Sequence, residues 1–154
     1  VFSLASPGKI DGRPVLVVNY RLTTKTTVDV KEVEGKEDCI SYDVDGGLRG
    51  KIWIDPGTFE VMRLDQGLGG LVDIALPRRV AKRPGVNDRG TLERMDTSIR
   101  FKPVTFKDPD ESLILPASSS SLRITRGAGT PRLRTSVEYS SYRRFLTGAR
   151  IVQP

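Results

Sequence analysis

The stretch Gly46-Gly47-Leu48-Arg49-Gly50-Lys51-Ile52-Trp53-Ile54-Asp55-Pro56-Gly57-Thr58-Phe59-Glu60-Val61-Met62-Arg63-Leu64 narrows the folds open to this chain more than any other segment. Its centre, Asp55-Pro56-Gly57-Thr58, carries the chemistry of a tight turn. Aspartate accepts hydrogen bonds at the first position, proline presets φ at the second, and glycine is permissive at the third. With these four residues as the loop, the hairpin pairs Ile54 with Phe59 and Ile52 with Val61. Side chains alternate across a strand, so Ile52, Ile54, Phe59 and Val61 form one apolar face, while Lys51, Trp53, Glu60, Met62 and Leu64 form the other. The apolar four are one wall of a β core or of a ligand-binding surface.

The rest of the chain has the same period of two rather than the 3.6 of an amphipathic helix. Val1 to Ala5 reads as a short strand and Ser6 to Pro14 as a turn-rich connection. Pro14 to Leu22 is a long strand whose Val15-Leu16-Val17-Val18 run is apolar on both faces, as in a central strand. Thr23 to Asp38 reads as a loop with a weak edge strand, in which Val28 and Val30 alternate with Asp29 and Lys31. Cys39 to Asp43 is another short strand, and Asp45-Gly46-Gly47 a turn. Gly67, Gly69 and Gly70 break the pattern before Leu71 to Leu76. Pro77 to Gly90 mixes Pro77, Pro84, Gly85 and Gly90 with five cations and reads as a long irregular basic loop. Ile99 and Phe101 share a face, but Val104 and Phe106 continue in the other phase, which predicts a β-bulge at Pro103. Leu113 to Leu115, the Leu122 and Ile124 segment, and Arg132 to Tyr142 complete the strands. The expected fold is all-β: a strongly curved, half-barrel-like antiparallel meander with a long basic loop and little or no helix.

A chain of 154 residues is long enough for one domain with a sizeable core, so residues 1–154 are expected to form a single β domain. With 37% hydrophobic and 29% charged residues, it is too apolar for a disordered chain. It opens at Val1 without a basic segment followed by an apolar one, so a processed or excised fragment is expected, its signal peptide already missing. One cysteine, Cys39, and no histidine exclude an intrachain disulfide and a Cys/His zinc site. The absence of histidine also removes the usual base for a serine or cysteine nucleophile. Ser6-Pro7-Gly8-Lys9 has Ser-x-x-Lys spacing, but on a turn where that chemistry needs a helix. Carboxylate pairs at Asp43 and Asp45, Glu32 and Glu34, and Asp108 and Asp110 read as turn and solvation residues. Asp43-x-Asp45-Gly46 lacks the closing glutamate of a calcium loop, since Ile54 stands there. Gly67-Leu68-Gly69-Gly70 lacks the Gly-Lys-Ser/Thr ending of a phosphate loop. No enzyme activity, cofactor or metal is expected.

The net charge of +6 and pI near 9.7 suit an anionic partner or simple solubility. Arg78, Arg79, Lys82, Arg83 and Arg89 crowd into the irregular loop, which makes them the candidate contact with an anionic membrane surface. Tyr139, Tyr142, Arg143, Arg144 and Phe145 interleave aromatic and basic residues as single-strand binders do. Aromatics are only 6% of the chain, however, and a core would use most of them, so nucleic acid is disfavoured.

A family resemblance rests on four ordered pieces: Asp11-Gly12-Arg13 with Val15 to Tyr20; Gly50-Lys51-Ile52-Trp53-Ile54-Asp55 with Thr58 and Val61-Met62-Arg63-Leu64; Leu113-Ile114-Leu115-Pro116; and Tyr139-Ser140-Ser141-Tyr142-Arg143-Arg144-Phe145. On these the chain resembles the C-terminal half of uncharacterised secreted proteins common in Acidobacteria-like genomes. More remotely it is similar to the periplasmic lipoprotein-carrier fold of LolA and LolB type, a curved sheet that cradles acyl chains. The closer group has no established activity, so no residue role is carried over. The resemblance implies a secreted bacterial protein of the periplasm or cell envelope. It implies binding of a lipid or acyl ligand, or of a partner protein, on the sheet, with Ile52, Ile54, Phe59 and Val61 on the ligand side. The alternative is a purely structural or protein-interaction module without a small ligand.

Overall fold

The computed structural model describes residues 1–36, 40–81, 88–107, 110–127 and 131–144. Cys39, Lys82, Arg83, Asp108, Phe145 and Ile151 lie outside them. The described residues form β1 (Phe2–Leu4), β2 (Gly8–Ile10), β3 (Arg13–Arg21), β4 (Thr27–Glu32), β5 (Ile40–Asp45), β6 (Leu48–Ile54), β7 (Val61–Leu68), β8 (Val72–Ala75), α1 (Arg78–Ala81), β9 (Arg89–Phe106), β10 (Glu111–Arg126) and β11 (Arg132–Glu138). Every strand pairing is antiparallel.

Nine strands make one sheet in the order β1-β3-β6-β7-β9-β10-β11, with β2 also on β3 and β8 also on β9, while β4 and β5 form a separate two-stranded sheet. The expected all-β antiparallel architecture is therefore present, but it is not a simple meander, since β4 and β5 leave the main sheet, and the strong curvature is absent: neither sheet is closed or strongly curled. At 18 residues, β9 is too long for one neighbour and takes β7 at Arg63↔Arg100 and β8 at Val72↔Leu92 along the same flank.

Turn chemistry accounts for the joints. Asp11 and Gly12 have φ of 49° and 80°, the left-handed pair that closes a two-residue hairpin between β2 and β3 at Ile10↔Arg13. Gly46 and Gly47 also have positive φ, at 74° and 59°, and here the chain leaves the small sheet for the large one. Gly47 N–H donates to the Thr24 carbonyl at 3.1 Å, and a Cβ on Gly47 would lie 1.9 Å from Thr26 Oγ1, so only glycine fits.

The main core sits at one end of the large sheet, while Val15 and Val17 of β3 are buried separately at the other end, against Gly8 and beside Trp53. In the main core Leu48, Leu68, Val72, Ile74, Leu76 and Leu92 are buried, and Val28, Val30, Ile40, Tyr42 and Val44 of the β4–β5 hairpin pack down on them with Met95. The opposite face of the hairpin carries Asp29, Lys31, Ser41 and Asp43 to solvent, the alternation expected of a two-layer packing. Tyr42 fastens the lid further: its hydroxyl pairs with Thr125 Oγ1 at 3.3 Å, and the Arg123 guanidinium lies 5.1 Å over its ring.

Several local expectations are corrected. Val28 and Val30 belong to a full strand in its own sheet, not to an edge of the main one. Leu113 to Ile124 is one strand through Pro116, and the last strand ends at Glu138 rather than Tyr142. The β-bulge lies on β10 at Ala117, between the pairs Pro116↔Phe101 and Ser118↔Arg100, and not at Pro103. In the basic segment, Arg78–Ala81 forms a helical turn and Arg89 already belongs to β9.

Candidate functional site

In the hairpin, the register differs from the sequence expectation. Ile54 pairs with Val61 and Ile52 with Leu64, with a bulge between the pairs of Trp53 and Ile54. The loop closes one residue later than the turn motif suggests: Asp55 N–H donates to the Glu60 carbonyl and Phe59 N–H to the Asp55 carbonyl, both at 2.9 Å. Phe59 takes a left-handed φ of 59° and is 75% exposed, so it leaves the apolar face. The bulge adds one residue to β7 and reverses its phase there, which brings Leu64 onto the face from which the sequence reading excluded it.

Ile52, Ile54 and Val61 do share a face, and it extends beyond the hairpin. Directly opposed residues in an antiparallel sheet share a side, and the pairs run Leu4↔Val18, Val18↔Ile52, Ile52↔Leu64, Leu64↔Ile99, Ile99↔Ser119 and Ser119↔Val137. Six of those seven side chains are apolar. Leu16, directly opposite Ile54, is 38% exposed, Leu4 is 76% exposed and Val137 39%. The β4–β5 hairpin covers this face only at the Leu48 and Leu68 end, and no other described strand or helix lies over the rest.

The other face is apolar at Val17, which is buried beside Trp53, and polar over the stretch next to it. Lys51, Asp65, Ser98 and Ser120 form one cross-strand row on it, with Asn19 at its end. An open groove of about 1050 Å³ runs over this face, lined by Arg21, Arg49, Lys51, Trp53, Asp65, Asp96, Arg94, Arg132 and Arg134 among others. Asp65 is engaged by Arg63, whose Nε and Nη2 donate at 2.8 and 2.7 Å, and by Ser98 Oγ at 2.6 Å. The same guanidinium lies 4.7 Å over the Trp53 ring, so Arg63 fixes both the carboxylate and the indole. Asp96 is held by Arg94.

Three of the five residues of the expected membrane-contact cluster are described. Arg78 and Arg79 are exposed on α1, with Arg79 facing Glu32 at 3.8 Å, and Arg89 starts β9 opposite Ala75. Lys82 and Arg83 lie outside the described residues. Among the described residues no cluster of three or more carboxylate or cysteine groups could hold a metal, and no helix is long and apolar enough to cross a membrane.

No protein family matches the chain, and neither a curated protein nor a solved structure is detectably similar to it.

Proposed function

We propose that this is a non-enzymatic binding domain whose uncovered apolar sheet face receives an apolar or amphipathic ligand of lipid type. The observation that carries the reading is the row from Leu4 to Val137, which crosses seven strands of the sheet and so extends about 29 Å at the usual strand spacing. An apolar surface of that reach is costly in water and marks contact with an apolar partner. A periplasmic or envelope setting, as the lipoprotein-carrier resemblance implies, offers such ligands. The openness of the sheet favours a second reading, a protein-interaction module, because a face that does not curl cannot enclose an acyl chain.

Fatty acids below their micelle concentration separate the two. Ligand at one hundred times Kd stabilises by about 2.7 kcal/mol, which raises Tm by several degrees in a chain of this size. Leu4→Lys with Val137→Lys should remove that rise while leaving the unliganded Tm unchanged, since both side chains are already exposed. If no acyl ligand moves Tm, the lipid reading fails and the module reading stands.

A further inference from the structure

We propose that the polar face is a second binding site and that it takes an acidic glycan, a linear sugar chain carrying carboxylate or sulfate groups. The observation behind this is the placement of the cations. Arg21 and Arg49 stand directly opposite each other on β3 and β6. Like charges in that position destabilise a sheet, and no carboxylate of the described residues pairs with either. Lys51, Arg132 and Arg134 are likewise without an ion pair among the described residues. The groove lining counts six cations against two carboxylates, and Arg63 and Arg94 already neutralise those two. A repulsion left standing in the free protein is relieved when an anion bridges it.

The cations fall into two groups. Arg21 and Arg49 lie at one side of the groove, and Arg132 and Arg134 lie on β11, four strand spacings from β6, about 19 Å away. A single small anion spans only one group, whereas an extended chain with repeated charges reaches both. Ser98 and Ser120 lie between the groups, beside Asp65 and Asp96 whose charges Arg63 and Arg94 meet, and Asn19 lies next to Arg21; these hydroxyl and amide groups match sugar hydroxyls. A single-stranded nucleic acid needs free aromatic platforms for its bases. Of the two aromatics in this lining, Trp53 has Arg63 over its ring, and Tyr20 sits against Phe2 with its hydroxyl donated to Gln66. This site lies across the sheet from the apolar row and does not depend on the lipid reading.

Calorimetric titration of the full chain tests the assignment with four probes: polygalacturonate, heparin, neutral dextran and a single-stranded oligonucleotide matched to heparin in charge. Binding to polygalacturonate identifies carboxylates as sufficient, and binding to heparin alone restricts the class to sulfated sugars; either supports the site. Affinity should fall as salt rises. Arg49→Ser with Arg134→Ser should weaken glycan binding about tenfold or more, whereas Lys9→Ser with Arg78→Ser, which removes the same charge elsewhere, should leave it within about twofold. Arg134→Ser alone, on the exposed edge strand, serves if the double variant melts early. The proposal is overturned if neither acidic glycan binds at low salt, if dextran binds equally, if the oligonucleotide binds as tightly as heparin, or if the control pair weakens binding as much as the groove pair.

Discussion

At the level of single residues, Asp55 and Gly47 hold two different joints by different means. Asp55 Oδ1 accepts from the Gly57 N–H at 2.8 Å and the Thr58 N–H at 3.1 Å, and these backbone donors hold its carboxyl below the usual aspartate value. A depressed folded-state pKa means that this contribution to stability is present above the unfolded value and is lost as pH falls through the folded one. The Asp55 carboxyl, followed by NMR, should therefore titrate below the ordinary aspartate range; a midpoint at or above that range would remove the carboxylate from the turn's support. At Gly47 the constraint is geometric. Gly47→Ala must adopt φ 59° and meet Thr26 Oγ1, a combination expected to cost about 1 to 3 kcal/mol in urea unfolding. Thr26→Ala in the same background should recover the clash but not the backbone strain, so recovery should be partial.

Among the elements, the β4–β5 hairpin and the strand ends beneath it carry the packing. Ile74 is fully buried, so Ile74→Ala should cost about 2 to 5 kcal/mol by chemical denaturation. Ile54 is only half-buried, and Ile54→Ala should cost distinctly less; equal costs would mean that the apolar face at that end is packed rather than open. Turn chemistry and alternation made much of this legible from residues alone: the hairpin around Asp55, the shared face of Ile52, Ile54 and Val61, the Gly46-Gly47 joint. Register was not legible, because the left-handed Phe59 and the β7 bulge depend on how the loop closes rather than on any local preference for it. The long strands were hidden by their prolines. Pro103 is tolerated in β9 because β7 reaches only to Arg100, so a missing N–H on that side costs no ladder bond. Pro116 stands beside the Ala117 bulge, beyond the last β11 pair at Ser118. The cationic groove was missed because its residues come from strands far apart in sequence. Arg21, Arg49 and Lys51 do alternate with apolar neighbours, but only the strand order brings Arg132 and Arg134 to the same face.

For the whole molecule, one sheet separates two surfaces of opposite character, the apolar row on one side and the arginine-lined groove on the other. Far-UV circular dichroism should be dominated by sheet, the described residues holding one helical turn at Arg78–Ala81; a helix-rich spectrum contradicts the fold. The second layer covers only the Leu92 end of this sheet, and that asymmetry has a dynamic counterpart. Amide hydrogen exchange should be graded along the single strand β9, slow near Leu92 and fast toward Phe106, although β10 pairs with it in both halves, with one register shift in each. The unroofed half would then open as its own unit, ahead of global unfolding. Whatever settles on either side of it supplies the missing roof, so a slowing of exchange confined to that half would report occupancy before the occupant has been identified.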